Sequence, residues 1–186
     1  MMIARGTGIA LAVILAFASV AHADFPSTQR HVRYSRTAVA PVRLVAVGDI
    51  CLSGGVERAA VRSDRSYPFT AMRPTLRDAD IAFGNLECTL STRGRRVPKQ
   101  YSFRASPWWA TRLADAGFDV LSLANNHTMD YDRIALQDTV ACLRRAGIAP
   151  VGAGPNQTEA HALRTITVRG IRVGFLAYLG MFPPVL

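Results

Sequence analysis

A layered α/β domain is the fold this sequence predicts, and three observations carry the expectation. Short apolar runs alternate with segments of helical spacing, in the order strand, helix, strand, helix, strand, helix, strand and then a hairpin. Glycine and proline punctuate the joints between them. Three of the runs stop abruptly at polar side chains: Leu44-Val45-Ala46-Val47-Gly48-Asp49, Asp80-Ile81-Ala82-Phe83-Gly84-Asn85-Leu86-Glu87, and Leu121-Ser122-Leu123-Ala124-Asn125-Asn126-His127-Thr128-Met129-Asp130. Strands covered on both faces read as continuous apolar runs, and open α/β sheets hold their ligands beyond the strands' carboxyl ends. If the three share a sheet, Asp49, Glu87, Asn126 and His127 converge at one edge.

The elements follow in order. Met1 to Ala23 combines a basic Arg5, an apolar run from Ile9 to Val20 and the small-x-small ending Ala21-His22-Ala23, which reads as a secretory signal peptide. The run is shorter than the roughly 18 residues a membrane span requires. Residues 24–41 read as a flexible linker, and the body, 42–186, is long enough for one modest core. Pro41 precedes a strand from Val42 to Val47. Gly54-Gly55 permits a tight change of direction, and Phe69 to Arg77 is expected as a helix interrupted near Pro74. A strand over Ile81 to Phe83 follows, then a basic, Gly- and Pro-containing stretch, Ser91 to Lys99, expected as an exposed loop.

Tyr101 to Arg104 is expected as a short aromatic strand. Ser106-Pro107 has the form of a helix start, with Ser as N-cap and Pro at the first helical position, and Trp108, Leu113 and Ala116 on the inward face. Gly117 ends that helix before a strand over Phe118 to Leu123. Ile134, Leu136, Val140 and Leu143 partly follow helical periodicity in a helix from Tyr131 to Arg145. A strand over Ile148 to Val151 and a hairpin turning at Arg169-Gly170 complete the order. Neither Gly84-Asn85 nor Gly152 to Gly154 matches the P-loop or dinucleotide fingerprint, which disfavours nucleotide binding through those folds.

The formal charge of +9 favours a polyanionic partner without specifying one. Arg30, Arg33 and Arg36 lie in the linker, while Arg93, Arg95, Arg96, Lys99 and Arg104 form a denser group in the body. No organised basic recognition motif accompanies them, so nucleic acid is disfavoured. Cys51, Cys88 and Cys142 are odd in number; one pair can close in an oxidising compartment, and the sequence does not choose it.

The strand-end residues suit a metal centre. Asp49 and Glu87 offer carboxylate oxygens, Asn126 an amide carbonyl, and His127 an imidazole that can coordinate or move a proton near neutral pH. Asn125 holds the turn or contacts substrate. Asp130 has two roles open to it, orienting His127 or capping the next helix, and capping is the expectation. A second metal needs more ligands than this segment offers.

Together these motifs resemble the capsule-synthesis CapA family, also described as poly-gamma-glutamate synthesis proteins. The match runs through Val45-Ala46-Val47-Gly48-Asp49, Phe83-Gly84-Asn85-Leu86-Glu87, Tyr101-Ser102-Phe103-Arg104, Leu123 to Asp130, Gly147-Ile148 and Gly152-Ala153-Gly154. The resemblance implies a calcineurin-like metallophosphoesterase-type domain of which only the N-terminal part is present. By it Asp49, Glu87 and Asn126 are metal ligands for a divalent ion (Mn, Zn, Fe or Mg), and His127 is the catalytic histidine. Asn85, Asn125 and Arg104 are substrate-side residues. Where the wider phosphoesterase pattern carries a histidine two positions after the first aspartate, this chain has Cys51. The implied role is a component of capsule or poly-gamma-glutamate biosynthesis with metal-dependent hydrolase architecture. It would be exported to the periplasm or cell exterior, free or membrane-associated, and partnered by an anionic polymer within an envelope synthesis complex. The alternative is a non-catalytic envelope scaffold or polyanion-binding module.

Overall fold

Strands that are apolar on both faces need cover on both sides; here helices cover one side of a parallel sheet and an antiparallel sheet covers the other. The computed structural model describes residues 10–16, 40–63 and 67–180. In chain order its elements are β1 (Ala10–Ala16), β2 (Leu44–Ile50), α1 (Gly55–Arg62), α2 (Arg73–Arg77), β3 (Ile81–Leu86), β4 (Thr89–Leu90), β5 (Arg104–Ala105), α3 (Trp109–Ala116), β6 (Val120–Ser122), α4 (Asp132–Arg145), β7 (Ala149–Val151), α5 (Gln157–Ala160), β8 (Arg164–Val168) and β9 (Ile171–Leu179).

The expected shared sheet is present. Its strands lie in the order β2-β3-β6-β7, and each neighbouring pair is parallel. β8 and β9 form the expected hairpin around Arg169 and Gly170. β1 pairs with the other edge of β9, antiparallel, with Ala10 opposite Leu179 and Ala16 opposite Val173. Residues 10–16 of the apolar run expected as the heart of a signal peptide are thus an edge strand here. Arg30, Arg33, Arg36 and nearly all of the expected linker lie outside the described residues.

Side-chain alternation along β3 divides the core. Ala82 and Leu86 join the helix-side cluster with Leu113, Leu121, Val140 and Leu143. Ile81 and Phe83 point the other way, to Val120, Val173, Phe175 and Ala177. Phe83 and Phe175 stack across this second interface, ring centroids 5.9 Å apart and planes 7° apart. On the helix side Trp109 is fully buried and meets Phe69 edge-on, with centroids 6.2 Å apart.

Several local expectations change. α1 was not expected; Gly54-Gly55 starts a helix as well as a turn. The helix near Pro74 is the short α2, with Pro74 in its first turn, where a missing N–H costs little, so proline opens this helix and does not interrupt it. Tyr101 to Phe103 are not in a strand, and only Arg104–Ala105 pairs, in parallel with β4. α3 begins at Trp109 with Trp108 at the N-cap, and Ser106 contributes its backbone carbonyl to Trp109 N–H without a side-chain cap. Trp108 is half-buried, and Trp109 takes the innermost position. Ile134 is exposed although Leu136, Val140 and Leu143 are buried. Gly117 does end α3, with φ 112°.

Gly84, in the middle of the sheet, is demanded by space. A Cβ there would lie 2.6 Å from Ile50 Cδ1 and 3.2 Å from Phe118 Cε1. Gly84→Ala is expected to destabilise the chain by about 1–3 kcal/mol through overpacking. Urea unfolding would report this as a lower midpoint at unchanged slope; a wild-type midpoint would contradict it.

All three cysteines are free thiols, Cys51 half-exposed and Cys88 and Cys142 buried. Burial pushes the Cys88 thiol up to about 12 and the Cys142 thiol up to about 11. Because the thiolate is the reactive form, a disulfide-exchange reagent at pH 8 is expected to modify Cys51 alone in the folded chain and all three after unfolding. Rapid native modification of Cys88 would contradict this packing.

Candidate functional site

Parallel pairing aligns the strand ends. Asp49 lies opposite Asn85, and Asn85 opposite Ser122, so the segments leaving β2, β3 and β6 meet at one edge of the sheet. The register of β2 on β3 shifts between Ala46 and Asp49. Such an irregularity re-aims the side chain that follows it. Gly48 sits inside it, within β2, and a Cβ there would meet nothing within 4 Å.

A chain of amides links the strand ends. Asn85 Nδ2 donates to Asp49 Oδ1 at 2.7 Å, and Asn125 Nδ2 donates to Asn85 Oδ1 at 3.0 Å and to the Leu86 carbonyl at 2.8 Å. Asn125 Oδ1 in turn accepts from the His127 backbone N–H at 3.0 Å and the Thr128 hydroxyl at 3.2 Å. Asn125 is buried, and these bonds satisfy its amide almost completely. It holds the turn, one of the two roles open to it from sequence.

His127 is buried against Phe103, ring centroids 4.2 Å apart, and its Nδ1 lies 2.8 Å from Asp130 Oδ2. Asp130 is fully buried. It accepts from the Phe103 backbone N–H and pairs with the Lys99 ammonium. A carboxylate so engaged is an acceptor, which assigns the His127 proton to Nδ1 and leaves Nε2 facing Glu87 Oε1 at 4.0 Å. The expectation that Asp130 caps the helix therefore fails. Tyr131 occupies the N-cap of α4 without a side-chain bond, and Asp132 Oδ1 accepts from Ile134 N–H instead. The i, i+3 spacing of His127 and Asp130 was the available signal for the orienting role.

Burial first, then the Asp49 carboxylate, raises Glu87 above its ordinary value, while His127 and Lys99 act in the opposite sense. Two carboxylates held close enough to oppose each other's ionisation, an imidazole and neighbouring amides are a donor set suited to a divalent cation. Among the described residues no group of three or more His, Cys, Asp or Glu side chains is arranged to hold a metal ion. An amide would have to complete the set. Asn126 is exposed beside this edge, and its side-chain amide has no hydrogen-bond partner among the described residues. Cys51 Sγ is 3.4 Å from Ser53 Oγ. Arg104 lies with its guanidinium over the Tyr131 ring, 4.1 Å from the centroid.

The basic stretch after β4 has mostly exposed side chains but an anchored backbone, which sequence reading missed. Val97 N–H donates to the Asp130 carbonyl at 2.9 Å, Arg95 N–H to Asp132 Oδ2 at 2.8 Å, and Lys99 Nζ to the Asn126 carbonyl at 2.8 Å. Arg93 forks onto Asp138, which also accepts from Ser91 Oγ at 2.6 Å. Gly94 has φ 84°, and a Cβ there would sit 2.0 Å from the Tyr131 carbonyl oxygen, so only glycine lets this segment close onto the start of α4. Arg93 and Lys99 are thereby paired internally, which lowers the positive charge the stretch presents to solvent.

Comparison with known proteins gives this edge a context. The family described as bacterial capsule synthesis protein PGA_cap matches residues 43–183. The capsule biosynthesis protein CapA of Bacillus anthracis is 30% identical over 157 residues, covering 78% of this chain and 38% of that relative. The PGA biosynthesis protein CapA of Bacillus subtilis (strain 168) is 27% identical over 135 residues, covering 71% of this chain and 36% of that relative. The chain thus spans a little over a third of the length of these relatives. Among the described residues no helix is long and apolar enough to cross a membrane. By the family match, which takes in every strand end that forms the site, the chain belongs to the bacterial capsule synthesis protein PGA_cap family.

Proposed function

We propose that this chain is an exported component of capsule or poly-gamma-glutamate biosynthesis, and that the edge holding Asp49, Glu87 and His127 acts on an anionic polymer as a metal-dependent hydrolase. The observation that carries the reading is the line Asp130–His127–Glu87: a buried carboxylate fixes Nδ1 of the imidazole at 2.8 Å and turns Nε2 toward a second carboxylate 4.0 Å away. A buried structural histidine has no need of a second, partly exposed carboxylate in front of its free nitrogen. The helix-covered parallel sheet backed by an antiparallel sheet supports a calcineurin-like metallophosphoesterase-type architecture for the longer family fold.

In this reading Asp49, Glu87 and Asn126 would hold the divalent cation, which when bound would polarise the bond attacked. Water would add at the bond attacked and give up a proton, while His127 Nε2, protonated as an imidazolium that Asp130 stabilises, would deliver its proton to the leaving group. Asn85 and Asn125 keep Asp49 and the His127 backbone in fixed relation. Phe103 shields one face of the imidazole from water.

A second reading, a polyanion-binding scaffold without catalysis, is favoured by the lack of a three-ligand acidic or imidazole cluster among the described residues. One experiment separates the two. Purified chain is incubated with γ-linked polyglutamate and Mn²⁺, and polymer length is followed. Shortening that disappears in His127→Ala and Glu87→Gln, by about 10²-fold or more, supports the hydrolase. Polymer binding that survives both changes, with no shortening by the wild type, supports the scaffold.

A further inference from the structure

Beside Asn125, where the chain leaves β6 and β7, a cleft of about 390 Å³ opens next to the proposed centre. Its floor is apolar, formed by the buried Leu123, Leu136 and Ala153, and its rim carries the exposed Met129 and Leu179. One cation stands in its wall. Arg133 donates through Nη2 to the Pro155 carbonyl, and its remaining N–H groups have no acceptor among the described residues. A guanidinium pinned at one nitrogen and free at the others is prepared to fork onto a carboxylate.

We propose that this cleft is a polymer subsite that takes a chain of carboxylates spaced by methylene groups, with one carboxylate on Arg133 and the methylenes on the Leu123 and Ala153 floor. The proposal rests on the reading of an anionic polymer acting at the neighbouring edge. Three features favour this ligand chemistry. A neutral apolar ligand would leave the free guanidinium N–H groups unsatisfied. A compact anion such as phosphate would leave the apolar floor bare. The cleft and the Asp49–Glu87 edge also share Asn125, whose side chain bonds in the amide relay while the residue lines the cleft, so the cleft adjoins that edge. Ligands at the carboxyl ends of parallel strands occupy this position in open α/β sheets generally.

Titration of the full chain with γ-linked tetraglutamate, followed by calorimetry, tests the assignment. Arg133→Met is expected to weaken binding at least about tenfold, as loss of a charge-assisted contact does. Arg133→Lys is expected to recover part of that loss. Leu179→Glu, an exposed rim change that leaves Arg133 intact, is expected to weaken it through like-charge repulsion. Tetraglutamine and inorganic phosphate are expected to bind at least about tenfold more weakly than tetraglutamate. Wild-type affinity in both Arg133→Met and Leu179→Glu would overturn the subsite, as would equal affinity for tetraglutamine. Tetraglutamate binding that persists in Glu87→Gln, when that variant has lost its response to Mn²⁺, supports the subsite as a separate element. Binding that vanishes in Glu87→Gln but survives Arg133→Met would place the polymer on the carboxylates and overturn the cleft assignment alone.

Discussion

Asp130→Ala is expected to lower the stability of the chain by about 3–5 kcal/mol, the cost of breaking a buried ion pair from one side. Asp130 is wholly buried, and its removal leaves Lys99, 29% exposed, without its counter-charge. The Phe103 backbone N–H loses its acceptor and His127 Nδ1 loses its anchor in the same step. Asp130→Asn keeps the shape and one acceptor oxygen, so its cost is expected to be smaller. Lys99→Met removes the other half of the pair and leaves the buried carboxylate with His127 and the Phe103 backbone N–H. Chemical denaturation of the single and double variants would report the coupling. Strictly additive effects of Asp130→Ala and Lys99→Met would contradict the pairing, because residues that share a contact are coupled.

Trp109→Ala is expected to cost about 3–5 kcal/mol, the range for emptying a buried aromatic site. Trp109 is fully buried beneath the sheet, edge-on to Phe69 and stacked on Trp108 with centroids 4.3 Å apart. Its indole Nε1 has no hydrogen-bond partner among the described residues. Trp109→Phe discards that unsatisfied donor together with part of the volume, so it is expected to cost much less than the alanine change. Unfolding midpoints measured for both variants decide the matter. Equal losses would mean that the indole N–H is engaged after all.

How far the sequence revealed this molecule depended on the kind of force involved. β2, β3, β6 and β7 were legible because continuous apolar runs with polar ends leave few alternatives to a buried parallel sheet. The hairpin of β8 and β9 was legible from Arg169-Gly170, where the backbone takes positive φ at both residues. α1 was missed because Gly54-Gly55 reads as a breaker and its single buried residue, Ala60, gives almost no periodic signal. The anchoring of the segment from Ser91 to Lys99 was also missed: its bonds run from the Val97 and Arg95 backbone N–H groups to Asp130 and Asp132 and from the Lys99 ammonium to the Asn126 carbonyl, all distant in sequence. Backbone donors carry no sequence signature.

The site divided in the same way. Asp49, Asn85, Glu87, Asn125 and His127 were expected to meet from their places at strand ends, and parallel register and the contacts between them bring them to one edge. The role of Asp130 was assigned to capping because a carboxylate before a helix is more often a cap, and local propensity cannot register a lysine arriving from Lys99. The first residue of α4, Asp132, has φ 62°, a conformation in which it binds both Arg95 N–H and Ile134 N–H. Those backbone bonds hold its carboxyl below the usual range. Cost at that backbone position is thus offset by closure of the neighbouring loop.

The proposed function requires that Asp49, Glu87 and Asn126 hold one divalent cation in front of His127. Calorimetric titration of Mn²⁺ into the full chain at neutral pH tests it most directly, with Asp49→Asn, Glu87→Gln and Asn126→Ala run alongside. Saturable binding of one equivalent is predicted for the wild type, weakened at least about tenfold by each substitution. Absence of saturable binding, or binding indifferent to both Asp49→Asn and Glu87→Gln, would contradict it.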